Sequence, residues 1–187
     1  MKKTLLIVTL LVSSIGAFAQ TKNTSQSYIE KFKENAVALM HETGVPASII
    51  LGVAMHESGN GNSSIAQNLN NQFGMKGGGG ATFKKNKKTV HSAYKRYDSI
   101  LESFQDFANN ILRRQQNGHM SAELPLADYE KWVHGIAKSG YASSKKWSAD
   151  VLSIIRKYSL NDLDSMPGDK QPADAKPEPP ATNTGGN

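Results

Sequence analysis

The sequence predicts a mainly α-helical domain with one small β-hairpin lobe. Apolar side chains recur every three or four residues through several segments, which is typical of helices that pack on a core. Glycines or an Asn-Gly pair follow these segments at the places where helices end. One stretch, 81–97, instead has the β-branched and aromatic content of two short strands around a polar turn.

The first two predicted helices are 28–43 and 47–56. In the first, apolar residues at positions 28, 32, 36, 39 and 40 share one face, and Gly44 supplies a stop. Pro46 suits the first position of the second helix, which is apolar almost all round and therefore belongs in the middle of the domain. This helix ends at His56 and Glu57, where the sequence Ser-Gly-Asn-Gly breaks it.

The middle of the chain predicts irregular structure followed by the hairpin. Ser63 or Ser64 is a candidate cap for a short helical turn, and 70–74 is expected to turn tightly, with asparagines bonded to their own backbone. Residues 77–80, four glycines, predict a flexible loop. The hairpin should then turn at 85–87, a polar Lys-Asn-Lys sequence.

Three more helices are predicted in the second half. Ser99 and Glu102 form a capping-box pattern before a helix that reaches about position 115. A second helix covers 127–138, with Gly140 as its stop, and a third runs from about 146 to 159.

Both ends of the chain are expected to lie outside the folded domain. Residues 1–19 combine two lysines, a short apolar centre and an Ala-Phe-Ala end, which predicts an export signal. Residues 162–187 are rich in Pro, Asp, Lys, Ala and Gly and predict a disordered tail. One domain, 24–161, remains, and because the chain has no cysteine, burial of its core must stabilise it. No other segment has the length of a membrane helix, so we expect no stable membrane insertion.

Charge points to an anionic partner. Residues 20–161 carry 18 basic and 11 acidic side chains, a net charge of +7. Such a surface favours a polyanion such as an anionic cell-wall polymer, and export makes nucleic acid the least suitable candidate. A generally basic exported domain without a specific partner is an equal alternative. With either interpretation we expect a monomer.

Several familiar catalytic motifs are absent. His56-Glu57 would need a second histidine at position 60 to form a zinc-protease motif, but Asn stands there. The four glycines lack the Gly-Lys-Ser/Thr of a phosphate-binding loop, and Ser58 lacks the preceding glycine of a nucleophile elbow. We therefore expect no metal and no cofactor.

Glu57 is the strongest single candidate for chemistry. It follows an apolar helix into a Gly/Asn turn, and partial loss of solvent at such a place favours the protonated carboxyl group. A general acid of a glycosidase needs that property. A solvated glutamate at a helix end is the alternative.

Three sequence blocks carry a family resemblance. The first matches the pattern E-S-x-x-G-x-S-x-L/I-A followed by N-N-x-F-G-x-K at Glu57, Ser58, Gly61, Ser63, Ile65, Ala66, Asn70, Asn71, Phe73, Gly74 and Lys76. The second block has Tyr94, Lys95, Tyr97, Ser99, Glu102 and Ser103, and the third has Gly140, Tyr141, Ala142 and Trp147. In this order, over nearly all of 28–158, they resemble the glucosaminidase domains of glycoside hydrolase family 73, the flagellar and autolysin-type peptidoglycan hydrolases.

The resemblance implies a fold, an activity and a set of residues. It implies a lysozyme-like helical fold and an exported endo-β-N-acetylglucosaminidase, which cleaves the β-1,4 bond between N-acetylglucosamine and N-acetylmuramic acid of peptidoglycan strands. Glu57 would be the general acid. The cleft would be lined by Tyr97 and Tyr141, with Asn71, Phe73 and Trp147 as further substrate-binding residues. At position 147 the family commonly has Tyr.

The chain departs from the family in its hairpin. Many members place a second carboxylate there, but between Glu57 and Asp98 this chain has no acidic residue. Seven basic residues stand there instead: Lys76, Lys84, Lys85, Lys87, Lys88, Lys95 and Arg96. Asp98 is the candidate second carboxylate, although a helix cap is an alternative role for it. Otherwise another acid or the N-acetyl oxygen of the substrate supplies the second group, or the domain binds glycan and cuts poorly. A lytic transglycosylase or muramidase also remains open, since one glutamate in such a fold serves those reactions as well.

Overall fold

The computed structural model describes residues 22–168, which form six α-helices, one hairpin and a short 3₁₀ helix. The helices are α1 (Ser25–Thr43), α2 (Ala47–Ser58), α3 (Ser64–Leu69), α4 (Ile100–Gln116), α5 (Tyr129–Lys138) and α6 (Trp147–Lys157). The strands are β1 (Lys76–Lys85) and β2 (Lys88–Tyr94), and the 3₁₀ helix is Leu160–Ser165. The predicted mainly helical fold with a small hairpin is therefore confirmed. The predicted export signal, 1–19, lies outside the described residues.

Helix α2 is the centre of the domain. Each of its residues from Ala47 to Met55 is buried, and α1, α4, α5, α6 and the 3₁₀ helix all pack against it. Helix α6 comes closest at Gly52, where an added Cβ would lie 2.9 Å from Cγ1 of Ile155. The two helices run antiparallel, and this close approach places the first residue of α6 beside the last turn of α2.

The start of α2 is capped by Asp164, which lies 116 positions after Ser48 in the sequence. Pro46 occupies the cap position and offers no side-chain hydrogen bond. Instead, the backbone N–H of Ser48 donates to Oδ1 of Asp164 at 2.8 Å, and its hydroxyl donates to Oδ2 at 2.6 Å. Burial raises the pKa of Asp164 above its ordinary value, against the lowering effect of these hydrogen bonds. The folded domain thus extends past the expected tail boundary at Asp162, since this turn packs on α2; residues 169–187 lie outside the described part.

The hairpin is longer than expected because the four glycines belong to it. Lys76 pairs with Tyr94 and Ala81 pairs with Ser92, so the four glycines of β1 bulge opposite a single residue of β2. All four have positive φ, and a Cβ on Gly80 would overlap the carbonyl oxygen of Ser92. The expectation of a flexible loop at 77–80 was wrong: glycine here permits a wide bulge in a paired strand.

Helices α3 and α4 begin at their predicted serine caps. Ser63 accepts from the N–H of Ala66 at the start of α3, and Ser99 accepts from the N–H of Glu102 at the start of α4. Helix α5 begins later than expected, because the side chain of Asp128 caps it. Within residues 22–168, none of the helices combines the length and the apolar character that crossing a membrane requires.

Candidate active site

Glu57 lies in the last turn of α2, at the point where the chain leaves the core. Gly59 ends the helix in the left-handed conformation, and its N–H donates to the carbonyl of Met55. The hydroxyl of the buried Ser58 donates to the carbonyl of Ala54 and accepts from the N–H of Gly61. This fixed turn holds Glu57 at the border between the apolar helix and an open cleft.

Trp147 holds the carboxyl group of Glu57. Its indole Nε1–H donates to Oε1 of Glu57 at 2.7 Å, and its ring is 2% exposed. The ring packs against Tyr141, with centroids 5.6 Å apart, and against the edge of His56 at 6.4 Å. An indole nitrogen can only donate, so Trp147 holds the carboxyl group through Oε1, and the indole makes no hydrogen bond to Oε2.

The cleft beside Glu57 has a volume of about 550 Å³. Its walls come from the end of α2, the loop before β1, one face of α4 and the segment that leads into α6. The lining residues are His56, Glu57, Phe73, Gly74, Met75, Lys76, Asn110, Arg114, Tyr141, Ala142, Ser143, Ser144 and Trp147. Glu57 is the one carboxylate in this set, and Lys76 and Arg114 are its cations.

Tyr141 forms part of the cleft wall. Its half-buried ring meets Phe107 edge to face at 5.6 Å, and its hydroxyl donates to the carbonyl of Phe73 at 3.3 Å. Burial, together with the charge of Glu57, raises the pKa of Tyr141 well above its ordinary value, so the phenol remains protonated. Tyr141 can therefore offer an aromatic surface and a neutral hydroxyl, and it cannot act as a base.

Arg114 lies on the same wall and is fixed by uncharged partners. Its Nη1 donates to the carbonyl oxygen of Ser139 at 2.6 Å and to the hydroxyl at 3.2 Å. Its Nε donates to Oδ1 of Asn110 at 2.9 Å, and the guanidinium lies 5.7 Å from the ring centroid of Tyr141. Within the described part of the chain it forms no ion pair with a carboxylate.

Asn71 and Phe73 serve mainly to build the wall. Asn71 is buried, donates to the carbonyls of Met75 and Lys95 at 2.9 Å each, and accepts from the N–H of Met75. It joins the loop to the base of the hairpin and does not line the cleft, so its placement does not support the expected substrate contact. Phe73 reaches the cleft but is 3% exposed, because its ring stacks on Phe107 at 4.3 Å.

Tyr97 and Asp98 do not line the cleft. Tyr97 is buried, and its hydroxyl donates to Oδ2 of Asp106 at 2.7 Å. Asp98 is exposed, and its backbone N–H donates to the carboxylate of Glu102 before α4. The expected roles of Tyr97 in the cleft and of Asp98 as second carboxylate therefore find no support in the placement of these residues.

Asp106 is the acid next to the hairpin base, and it is neutralised there. Lys95 donates to it at 2.8 Å, Tyr97 donates to it, and Arg113 approaches at 3.6 Å. Burial acts in the opposite direction, but the bonds from Lys95 and Tyr97 and the charges of Lys95 and Arg113 hold the pKa of Asp106 below its ordinary value. Asp106 is thus an ionised anchor for the hairpin.

Sequence reasoning missed five polar residues of the cleft: His56 as a lining residue, Asn110, Arg114, Ser143 and Ser144. Asn110 and Arg114 are one helical turn apart on α4, so a polar pair on one face was visible. That pattern is also typical of a solvated helix surface. No group of three or more His, Asp or Glu side chains in residues 22–168 is placed to hold a metal ion.

Comparisons with known proteins agree with this geometry. The family model described as glucosaminidase, mannosyl-glycoprotein endo-beta-N-acetylglucosaminidase, matches residues 33–160. The exo-glucosaminidase LytG of Bacillus subtilis is 28% identical over 152 residues, which cover 75% of this chain. An N-acetylmuramoyl-L-alanine amidase domain-containing protein of Staphylococcus aureus is 24% identical over 158 residues, 77% of this chain. The chain spans 54% of the length of LytG and 25% of the second relative.

A solved structure shares the fold. The catalytic domain of the autolysin Auto from Listeria monocytogenes superimposes with a TM-score of 0.62 at 21% identity. The match covers 79% of this chain and 91% of that domain. The lysozyme-like arrangement of helices around a small hairpin is therefore confirmed.

Proposed function

The chain belongs to the glucosaminidase family of glycoside hydrolases, and from this premise we propose that it hydrolyses peptidoglycan. The bond we assign is the β-1,4 linkage between N-acetylglucosamine and N-acetylmuramic acid, cut within the strand. The observation that carries the proposal is Glu57, a carboxyl group held by Trp147 at the wall of a cleft. The names of the relatives, a glucosaminidase and an autolysin, support the choice of a cell-wall glycan.

Glu57 is the proposed general acid. Its Oε1 accepts from Trp147, so the acidic proton resides on Oε2. From there it passes to the glycosidic oxygen as the bond between that oxygen and C1 of N-acetylglucosamine breaks. The ring carbon then carries the positive charge of an oxocarbenium-like transition state, which needs a partner.

The substrate's own N-acetyl oxygen is the proposed partner for that charge. Glu57 is the one carboxylate among the residues that line the cleft, and the nearby Asp106 is occupied by Lys95 and Tyr97. Attack of the acetamido oxygen on C1 gives a cyclic oxazolinium ion, which water opens while Glu57 recovers its proton. Two displacements at C1 retain the β configuration, so ¹H NMR of the first product should show the β anomer.

The setting of the reaction follows from the substrate. We propose that the protein acts outside the cytoplasm, in the periplasm or the medium, where peptidoglycan lies. The lysine-rich hairpin, which contains no acidic residue, suits contact with anionic wall polymers. The single domain is proposed to act as a monomer.

The central experiment replaces the acid. Glu57→Gln is expected to keep the fold and the hydrogen bond from Trp147, and to abolish the clearing of purified wall sacculi. Asp98→Asn is the matched control, since it removes one carboxylate outside the cleft and is expected to clear sacculi normally. Undiminished clearing by Glu57→Gln would refute the assignment of the acid, and loss of clearing by Asp98→Asn would restore Asp98 as the second group.

The products identify the bond. Mass spectrometry of the soluble fragments should show reducing ends of N-acetylglucosamine. Reducing muramyl ends would instead identify a muramidase, and anhydro-muramyl ends a transglycosylase. Wild-type protein that binds sacculi but releases no reducing sugar would identify a glycan-binding module.

A further inference from the structure

Arg114 carries a positive charge in the cleft and forms no ion pair with an acid of residues 22–168. Two other arginines form ion pairs, Arg113 with Asp106 and Arg156 with Glu130. Arg96, outside the cleft, uses both terminal nitrogens for the backbone carbonyls of Asn68 and Thr82. Arg114 is held instead by the Ser139 carbonyl and hydroxyl and by the amide oxygen of Asn110. These uncharged partners fix the guanidinium in place without neutralising it, which leaves its charge available to a ligand.

The bonds also determine which atoms remain for a ligand. Nε and Nη1 of Arg114 are used, whereas Nη2 has no hydrogen-bond partner among the described residues. No buried side-chain polar atom in this part of the chain lacks a partner, so Nη2 is open to solvent. Asn110 gives its oxygen to Arg114, which leaves its amide N–H groups as donors. This wall of the cleft therefore presents donors and positive charge.

The rest of the cleft reinforces that character. Lys76, on the hairpin side, adds a second cation, and the exposed Ser143 and Ser144 add hydroxyl groups. Glu57, the one acid of the lining, is engaged by Trp147. A neutral glycan would leave the Arg114 charge without a counterpart, whereas a glycan that carries an acid group would balance it.

We propose that Arg114 and Asn110 form a carboxylate subsite that binds an acid group carried by the muramyl residue of the substrate. A planar guanidinium with a free edge is well matched to a carboxylate, and charge-assisted hydrogen bonds of this kind are among the strong ones. The carboxylate is either that of the lactyl group on peptide-free strands or one on the attached peptide. This subsite rests on the proposed function and adds to it a reason for preferring acidic strands over neutral ones.

The test compares three glycans: peptide-bearing strands, peptide-free strands with a lactyl carboxylate, and peptide-free strands whose carboxyl groups have been reduced to alcohols. We expect wild-type protein to bind and cleave carboxylate-bearing strands with a lower KM than reduced strands. Arg114→Gln should raise KM for the carboxylate-bearing strands by roughly tenfold or more and leave KM for reduced strands nearly unchanged. Arg114→Lys, which keeps the charge but lacks the planar fork, should fall between the two.

Controls separate binding from folding and from the chemistry. Arg113→Gln removes the neighbouring arginine, which is exposed and outside the cleft, and should leave all three KM values unchanged. Binding measured by calorimetry in the Glu57→Gln background should show the same preference without turnover. Thermal melting of Arg114→Gln checks that the Ser139 contact is not required for folding.

Each outcome has a distinct meaning. A lower KM for peptide-free strands with a lactyl carboxylate than for reduced strands would show that Arg114 binds the lactyl group. A lower KM for peptide-bearing strands alone would show that it binds a carboxylate of the peptide. Equal KM values of wild-type protein for all three glycans, or an equal loss by Arg114→Gln on all three, would overturn the subsite while leaving the hydrolase assignment intact. Failure of wild-type protein to cleave any of them would overturn the proposed function itself.

Discussion

Trp147→Phe isolates the hydrogen bond that positions the candidate acid. Phenylalanine keeps an aromatic ring against Tyr141 and His56 but has no N–H to donate to Oε1 of Glu57. The carboxyl group would then be free to rotate, and either oxygen would be able to carry the proton. We expect kcat to fall while KM changes little, because the interaction serves the proton transfer more than the binding of the glycan.

The size of the effect follows from the type of bond. A hydrogen bond to a group that is charged for part of the cycle contributes about 1.5–3 kcal/mol. Expressed in the transition state, that energy corresponds to a loss of roughly tenfold to a hundredfold in kcat. The smaller ring also leaves a gap in the core, which costs about 1–3 kcal/mol of stability and has to be separated from the effect on catalysis.

Trp132→Phe is the matched control for that gap. Trp132 is also 2% exposed, but its indole N–H donates to the carbonyl of Pro125 at 3.1 Å and not to Glu57. Both variants should lose similar stability in chemical denaturation, but only Trp147→Phe should lose kcat in a reducing-sugar assay. Equal kcat values for the two variants would refute the claim that Trp147 orients the acid.

Two further predictions concern acids outside the cleft. Asp164→Ala should lower the free energy of unfolding, measured by urea denaturation, by about 1–2 kcal/mol, because the N–H of Ser48 loses its hydrogen-bond acceptor. Asp164→Asn keeps an acceptor oxygen and should be nearly as stable as the wild type. Asp106 has a lowered pKa in the fold, so its stabilising effect is present above the ordinary pKa and disappears as the pH falls below about 4. The Asp106→Asn variant should therefore be less stable at pH 7, and its free energy of unfolding should fall less steeply on acidification than that of the wild type. An unchanged pH dependence below about pH 4 would contradict the anchoring of Asp106 by Lys95 and Tyr97.

The parts of the fold that local sequence determines were predicted well. The starts of α3 and α4 follow from Ser63 and Ser99, whose side chains bond to a backbone N–H three residues later. The buried position of α2 follows from its lack of any polar face. These signals involve residues within one or two helical turns, so a single sequence contains them.

The features that were missed depend on contacts between distant residues. The cap of α2 comes from Asp164, which lies 116 positions after Ser48, so the composition of the last 26 residues gave no sign of it. The four glycines could be placed in a strand only once β2 was known to pass beside them, because Gly80 is required by the Ser92 carbonyl. In both cases the deciding partner lies in another segment.

The residues of the candidate site also fall into those that the sequence indicated and those that only the folded structure brings together. Glu57 was visible because its own flanking residues place it at a helix end, and Tyr141 and Trp147 were identified through the family resemblance. Arg114 was not visible, since it becomes part of a cleft only when Ser139 and the segment before α6 fold against α4. For Asp98 the opposite holds: its position next to the hairpin in sequence suggested a catalytic role, and its exposed position outside the cleft lends that role no support.

Among residues 22–168, the cleft lining has one carboxylate and Arg114 forms no ion pair, and these two facts have a common electrostatic consequence. A second fixed acid in the cleft would partly neutralise Arg114 and Lys76, and it would repel an acid group on an incoming muramyl residue. With Glu57 as the single carboxylate of the lining, Lys76 and Arg114 outnumber it, and the cleft can accept an anionic strand. A substrate that brings its own N-acetyl oxygen needs no second carboxylate to stabilise the charge at C1. The charge of the cleft therefore agrees with a mechanism in which the protein supplies the acid, Glu57, and the cation, Arg114. The glycan supplies the N-acetyl oxygen that attacks C1 and the carboxylate that binds Arg114.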